Sequence, residues 1–224
     1  MFNVNFKEYT DVDCKATILN ELFGIDNGGS IPLNTIFCCV HGDALIRFST
    51  GDAGIDLSNL TDEVIASSSV NMVENVPFLV KTGVKICLPH GFYASVVPRS
   101  SLPIKMGLMI SNSPGTIDST YRGDVMLQLH IQNKETFNRI LTNVNGKWVI
   151  PKHTRMGQLI IHPAIFPCVL NNKSSSKYGV CKNYSLTFYS EYNYYIVRST
   201  EIYEKFDRIF DSERGVGGFG STGK

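Results

Sequence analysis

The residues best able to do chemistry form five short groups along a chain of 224 residues. The most informative is Gly115-Thr116-Ile117-Asp118-Ser119-Thr120-Tyr121-Arg122-Gly123-Asp124. Two glycines bracket a compact excursion, and Asp118 in its middle can hold and deprotonate a water. Tyr121 offers a flat ring to a sugar. Pro98-Arg99-Ser100-Ser101-Leu102 follows an apolar run. It presents a cation, two hydroxyls and backbone amides, which together suit phosphate oxygens. Near the chain end, Arg214-Gly215-Val216-Gly217-Gly218-Phe219-Gly220-Ser221-Thr222-Gly223 joins glycines to an arginine, an aromatic ring and two hydroxyls. Glycines let N–H groups close on phosphate, an arginine adds a two-pronged contact, and a ring can stack on a base. Ala53-Gly54-Ile55-Asp56-Leu57 sets one carboxylate among apolar neighbours, and Arg155-Met156-Gly157-Gln158-Leu159 leads into a further apolar run. Each group alone also has a plain structural reading: a frayed terminus, a surface turn, or a polar side chain satisfied by backbone.

The elements that must carry these groups are strands. Apolar runs of strand length lie at 36–40, 44–48, 78–80, 84–88, 92–97, 125–131 and 158–161, several rich in Val, Ile and Phe. Many short strands broken by polar turns predict an all-β sandwich or barrel. One window has helical period: Ile202, Phe206, Ile209 and Phe210 align on one face, with Ser199 or Thr200 as the cap. Residues 1–34 read as a polar, irregular N-terminal extension. Residues 171–177 have loop composition, and 184–198 reads as a hairpin. Four parts result: 1–34, a β domain over 35–170, an insert over 171–213 with a hairpin and a short helix, and a Gly-rich arm over 214–224. The arm is too rich in glycine to hold a fixed fold by itself.

Composition narrows the function classes. Net charge is +1 at pH 7, so no global field draws the chain to nucleic acid or membrane. Hydrophobic content of 43% against 18% charged suits a packed core. The six cysteines form no Cys-x-x-Cys pair and read as reduced thiols. The histidines lack the spacing of a zinc site. No signal peptide or membrane-spanning stretch is visible, which predicts cytoplasm or nucleus.

Taken together and in order, Ala-Gly-x-Asp-Leu, Pro-Arg-Ser-x-Leu, Gly-x-Ile-Asp-x-x-Tyr-Arg-Gly, Arg-x-x-Gln-Leu and Arg-Gly-x-Gly-Gly-Phe-Gly-Ser-Thr-Gly resemble the homotrimeric dUTPase family. The resemblance runs from Ala53 to Gly223 and is jointly very specific. It implies a distorted β jelly roll assembled as a homotrimer that hydrolyses dUTP to dUMP and pyrophosphate. Asp118 would be the general base for a water attacking the α-phosphorus. Asn112, Gly115, Thr116, Ile117 and Met126 would form the uracil pocket, and Tyr121 would pack on the deoxyribose. Arg99, Ser100, Ser101 and Gln158 would hold phosphate oxygens. Arg214, Ser221 and Thr222 would close over the β- and γ-phosphates, with Phe219 and Gly220 over the base. Asp56 would be a supporting carboxylate. The family's Mg²⁺ would be held by the phosphates and water, with no direct protein ligand.

Three substitutions depart from the family pattern: Ser101 for Gly, Gly157 for Ala, and Thr120 for an acidic or amide residue. The distance from Gln158 to Arg214 is also about twice the usual one, which questions how the arm reaches its site. The nearest rival is dCTP deaminase, a relative that shares the fold and the Arg-Ser-Ser-Leu signature. Its catalytic Glu would fall at Gln128, which cannot shuttle the required proton. A dUTPase-like protein with an added partner-binding role, carried by the insert, is the other alternative.

Overall fold

The computed structural model describes residues 3–9, 35–49, 51–67, 76–164, 191–210, 212 and 215–217. Fifteen strands in four sheets dominate these residues. The all-β expectation therefore holds, and the architecture is jelly-roll-like.

A five-stranded sheet carries most of the candidate residues. Its order is β10 (Gly115–Asp118), β8 (Phe92–Pro98), β14 (Arg155–Pro163), β4 (Ile55–Ser58), β3 (Ile46–Arg47). Successive side chains on a strand point to opposite faces. Ala94, Val96, Leu159, Ile55 and Leu57 enter the main core. Their alternates, Tyr93, Ser95, Gln158, His162 and Asp56, line the other face. The core is completed by β6 (Phe78–Lys81), β11 (Met126–Ile131) and β9 (Leu108–Ile110). β11 alternates half-buried and buried residues, with Leu127, Leu129 and Ile131 inward. Each such side chain contributes about 1.5–3 kcal/mol by leaving water.

A smaller sheet joins β5 (Glu63–Ser67), β13 (Lys147–Ile150) and β12 (Thr142–Val144). Asn145 and Gly146 make the two-residue turn between β12 and β13, with φ of 51° and 79°. Both positions need a left-handed backbone, which Asn and Gly tolerate best. Two helical turns, α1 (Leu102–Met106) and α2 (Lys134–Asn138), pack together beside β9.

The fourth sheet holds the surprise. Its order is β1 (Asn3–Tyr9), β15 (Glu191–Arg198), β2 (Thr35–Val40), β7 (Val84–Cys87). The N-terminal region was expected to be irregular, yet Asn3–Tyr9 pairs in parallel with β15 over its whole length. β15 in turn pairs in parallel with β2. Both of its edges are thus taken by distant strands, and among the described residues it forms no hairpin. Parallel neighbours far apart in sequence leave no local turn signal, which is why the pairing could not be read in advance.

The helical stripe appears where expected, as two short helices, α3 (Thr200–Glu204) and α4 (Phe206–Ile209). Ser199 caps α3, its Oγ accepting from the Ile202 N–H at 3.3 Å. Ile202, Tyr203, Phe206 and Phe210 build a second core with Phe37, Cys39, Cys87 and Val197. Phe37 and Phe210 lie 4.8 Å apart, Phe206 and Phe210 4.6 Å apart, by ring centroids. Cys38, Cys39 and Cys87 are buried free thiols. Burial pushes the Cys38 thiol up to about 12, so it stays protonated. No helix among the described residues is long and apolar enough to cross a membrane.

Candidate active site

Asp56 is the hub of the first cluster. It sits on β4 directly across from Gln158 on β14 and Arg47 on β3, so three strands deliver polar side chains to one spot. Its Oδ1 accepts from Arg99 Nε and from Gln158 Nε2, each at 3.1 Å. Its Oδ2 accepts from Arg155 Nη1 at 3.1 Å. Asp56 is only 9% exposed, and three charge-assisted or amide bonds offset the burial of its carboxylate. Register at this point is fixed by buried Asn59. Its Nδ2 donates to Pro151 O at 2.9 Å, and its Oδ1 accepts from Thr154 N at 2.7 Å, just before Arg155.

A cleft of about 380 Å³ opens over this hub, lined by Arg47, Ser49, Asp52, Asp56, Arg99, Arg155 and Gln158 together with Ala53 and Gly54. Three arginines face two aspartates, and the walls are mainly polar. Such a lining suits a polyanion better than an apolar ligand. Ser100 and Ser101 follow Arg99 at the end of β8, Ser100 exposed and Ser101 half-buried as the residue before α1. Asp52 is already engaged, its Oδ2 accepting from Ser49 N at 2.8 Å and Ser49 Oγ at 2.7 Å.

The second cluster is the excursion between β9 and β11. Ser111 N donates to Gln128 O at 2.7 Å, tying the turn to β11. Asn112 and Thr116 are exposed, Gly115 is buried, and Ile117, Asp118 and Met126 are half-buried. A Cβ on Gly115 would come within 3.3 Å of Asn112 Nδ2, so the strand and turn stand close together. Tyr121 is 6% exposed, and its hydroxyl donates to Asp124 O at 2.9 Å. Its ring lies over Gly123, where a Cβ would meet the hydroxyl at 2.4 Å. Only glycine leaves that ring its place.

The structure does not bring the two clusters together within one chain. Asp118 pairs with Tyr93 at the start of β8, while Arg99 follows its end. Between positions 93 and 99 a strand advances roughly 20 Å. Arg99 is moreover held back by Asp56. The intervening sheet face carries Ser95 hydrogen-bonded to His162 at 2.7 Å and Tyr93 stacked on His162 at 4.9 Å. Arg214, Phe219, Gly220, Ser221 and Thr222 lie outside the described residues.

Sequence reasoning gave no role to Arg47, Asp52 or Arg155. Arg155 stood inside a motif already noticed. Arg47 had a fainter signal, an outward arginine after inward Ile46. Gly157 also finds its reason: a Cβ there would meet Leu127 Cδ2 at 2.7 Å.

The dUTPase family model matches residues 41–176. The deoxyuridine 5'-triphosphate nucleotidohydrolase of Alkaliphilus metalliredigens is 30% identical over 173 residues, covering 77% of this chain and 84% of its own. That of Cutibacterium acnes is 32% identical over 182 residues, covering 81% and 86%. A solved dUTPase from Streptococcus mutans aligns at 25% identity with a TM-score of 0.43, over 56% of this chain and 89% of its own. The chain belongs to the dUTPase family.

Proposed function

We propose that this chain hydrolyses dUTP to dUMP and pyrophosphate. The observation that carries the reading is the Asp56 hub, which aims Arg99, Arg155 and Gln158 at a polar cleft in a chain of this family. Arg99, Ser100, Ser101 and Gln158 hold phosphate oxygens. The turn at Asn112 and the strand Gly115–Asp118, with Met126 beside them, receive uracil through backbone groups. Tyr121 lies against the deoxyribose, where a 2′-hydroxyl would not fit. Asp118 takes a proton from a water that attacks the α-phosphorus. The α–β bridging oxygen leaves with pyrophosphate. Arg214, Phe219, Gly220, Ser221 and Thr222 close the site from the arm.

The residues fit Mg²⁺ brought by the substrate better than Mg²⁺ held by the chain. Asp56 already accepts from three donors and Asp52 from two, while the rest of the cleft offers donors. Phosphate oxygens and water would then hold the ion, with Asp56 facing its waters. The ion would offset charge on the triphosphate.

Because roughly 20 Å separates Asp118 from the cleft in one chain, a working site takes its base from one copy and its phosphate cleft from another. A homotrimer repeats this junction three times by cyclic symmetry. Product labelling tests the chemistry. Hydrolysis in H₂¹⁸O should place one ¹⁸O in dUMP and none in pyrophosphate, read by mass spectrometry. Label in pyrophosphate would move the attack to the β-phosphorus and remove Asp118 from its role.

A further inference from the structure

Two helices outside the candidate site reach the place where Tyr121 is held. Tyr121 is 6% exposed, and its ring lies over Gly123 with the hydroxyl donating to Asp124 O at 2.9 Å. The far end of that ring therefore rests on Asp124. The Asp124 carboxylate is bonded in turn by the hydroxyl of Tyr203 on α3. Tyr203 is 8% exposed and is itself gripped from β7 and from the residue after β2. Lys85 Nζ donates to Tyr203 O at 2.8 Å and stands 4.5 Å from the centre of its ring. The His41 ring meets the same ring edge-on, with centroids 5.3 Å apart. Gly42 N donates to Thr200 Oγ1 at 3.2 Å, which seats the first turn of α3. On the other side of Tyr121, buried Arg122 donates to Ser119 O at 2.6 Å and to Tyr121 O at 2.9 Å. Its Nε donates to Phe210 O at 2.6 Å, just past α4. The two helices thus clasp the excursion on both sides of Tyr121. Ile202, Tyr203, Phe206 and Phe210 belong to the second core, so the clasp has a packed base.

A wall excludes a hydroxyl only as firmly as it resists moving. A pocket that merely fits its ligand rejects an added hydroxyl by about 10²-fold, and a ring free to swing would lose part of that. We propose that Tyr203, acting through Asp124, is a positioning residue for sugar discrimination. It holds the Tyr121 ring where the 2′-hydroxyl of a ribonucleotide would stand. The helical part of the insert then helps to choose deoxyribonucleotides while touching neither substrate nor water. The proposal rests on the dUTP-hydrolysing reading and on the place of Tyr121 against the sugar.

The test measures kcat and KM with dUTP and with UTP for the wild type, Tyr203→Phe, Asp124→Ala and Asp124→Asn, each with its melting temperature. Tyr203→Phe removes one oxygen atom and leaves the packing of α3 in place. It and Asp124→Ala should each raise kcat/KM for UTP relative to dUTP by about 10-fold, the lower end of what a hydrogen bond to a charged group contributes. The change should lie mainly in a lower KM for UTP, with kcat for dUTP near wild type. Asp124→Asn keeps a side-chain oxygen that can accept from Tyr203, and it should keep wild-type selectivity. Combining Tyr203→Phe with Asp124→Ala should add little, because both break the same link. An unchanged UTP-to-dUTP ratio in folded Tyr203→Phe, whatever its melting temperature, would overturn the proposal and leave the dUTP-hydrolysing reading intact. A wild-type protein that hydrolyses UTP as readily as dUTP would overturn it together with the role of Tyr121.

Discussion

Asp118→Asn lowers kcat for dUTP by about 10²–10⁴-fold, the loss expected when a positioned general base is removed. KM should change little, because Asn fills the same volume and the proposed phosphate contacts lie elsewhere. The residue is half-buried on β10, paired through its backbone with Tyr93, so the fold does not depend on its charge. Steady-state kinetics with dUTP, together with a melting temperature, separate a chemical defect from a folding one. A variant with near-normal kcat would remove Asp118 from the centre of the mechanism.

Arg99→Ala acts on the other half of the site. In the proposed site it would delete a phosphate contact worth about 1.5–3 kcal/mol as a charge-assisted bond, or roughly 10–150-fold. It also frees Asp56 Oδ1 from one of its two donors, which exposes the incoming triphosphate to a less compensated carboxylate. Both effects have the same sign, so kcat/KM for dUTP should fall by about 10²-fold. Adding Asp56→Asn should restore part of the loss, since the repulsion goes while the missing contact stays missing. Such non-additivity is expected of residues in one hydrogen-bonded cluster. Equal, additive losses would show that Asp56 does not work through Arg99.

How much of this could be read from the chain alone depends on the range of the interactions. The strands at 36–40, 84–88, 92–97 and 125–131 reappear nearly residue for residue, because alternation and β-branched content are local signals. The amphipathic stripe at Ile202, Phe206 and Phe210 also reappears, although it breaks into two helices at Lys205, which adopts neither helix's full geometry. The Asp56, Arg99 and Gln158 grouping was legible as motifs. Its wiring was not, since it depends on β4 lying beside β14 in a particular register. Arg47 and Asp52 joined the cleft through tertiary proximity alone. The parallel place of β15 between β1 and β2 could not be foreseen, because pairing over more than 150 residues has no spacing rule.

The most direct measurement is pyrophosphate release, with Mg²⁺, from dUTP, dCTP, dTTP and UTP in parallel, with ammonia followed in the dCTP reaction. Rapid release from dUTP and little from the other three is expected, because in the proposed site the Gly115–Asp118 strand would read uracil and Tyr121 would exclude a 2′-hydroxyl. UTP turnover equal to that of dUTP would contradict the role of Tyr121. Ammonia from dCTP, or no hydrolysis of dUTP by the well-folded protein, would contradict the function itself.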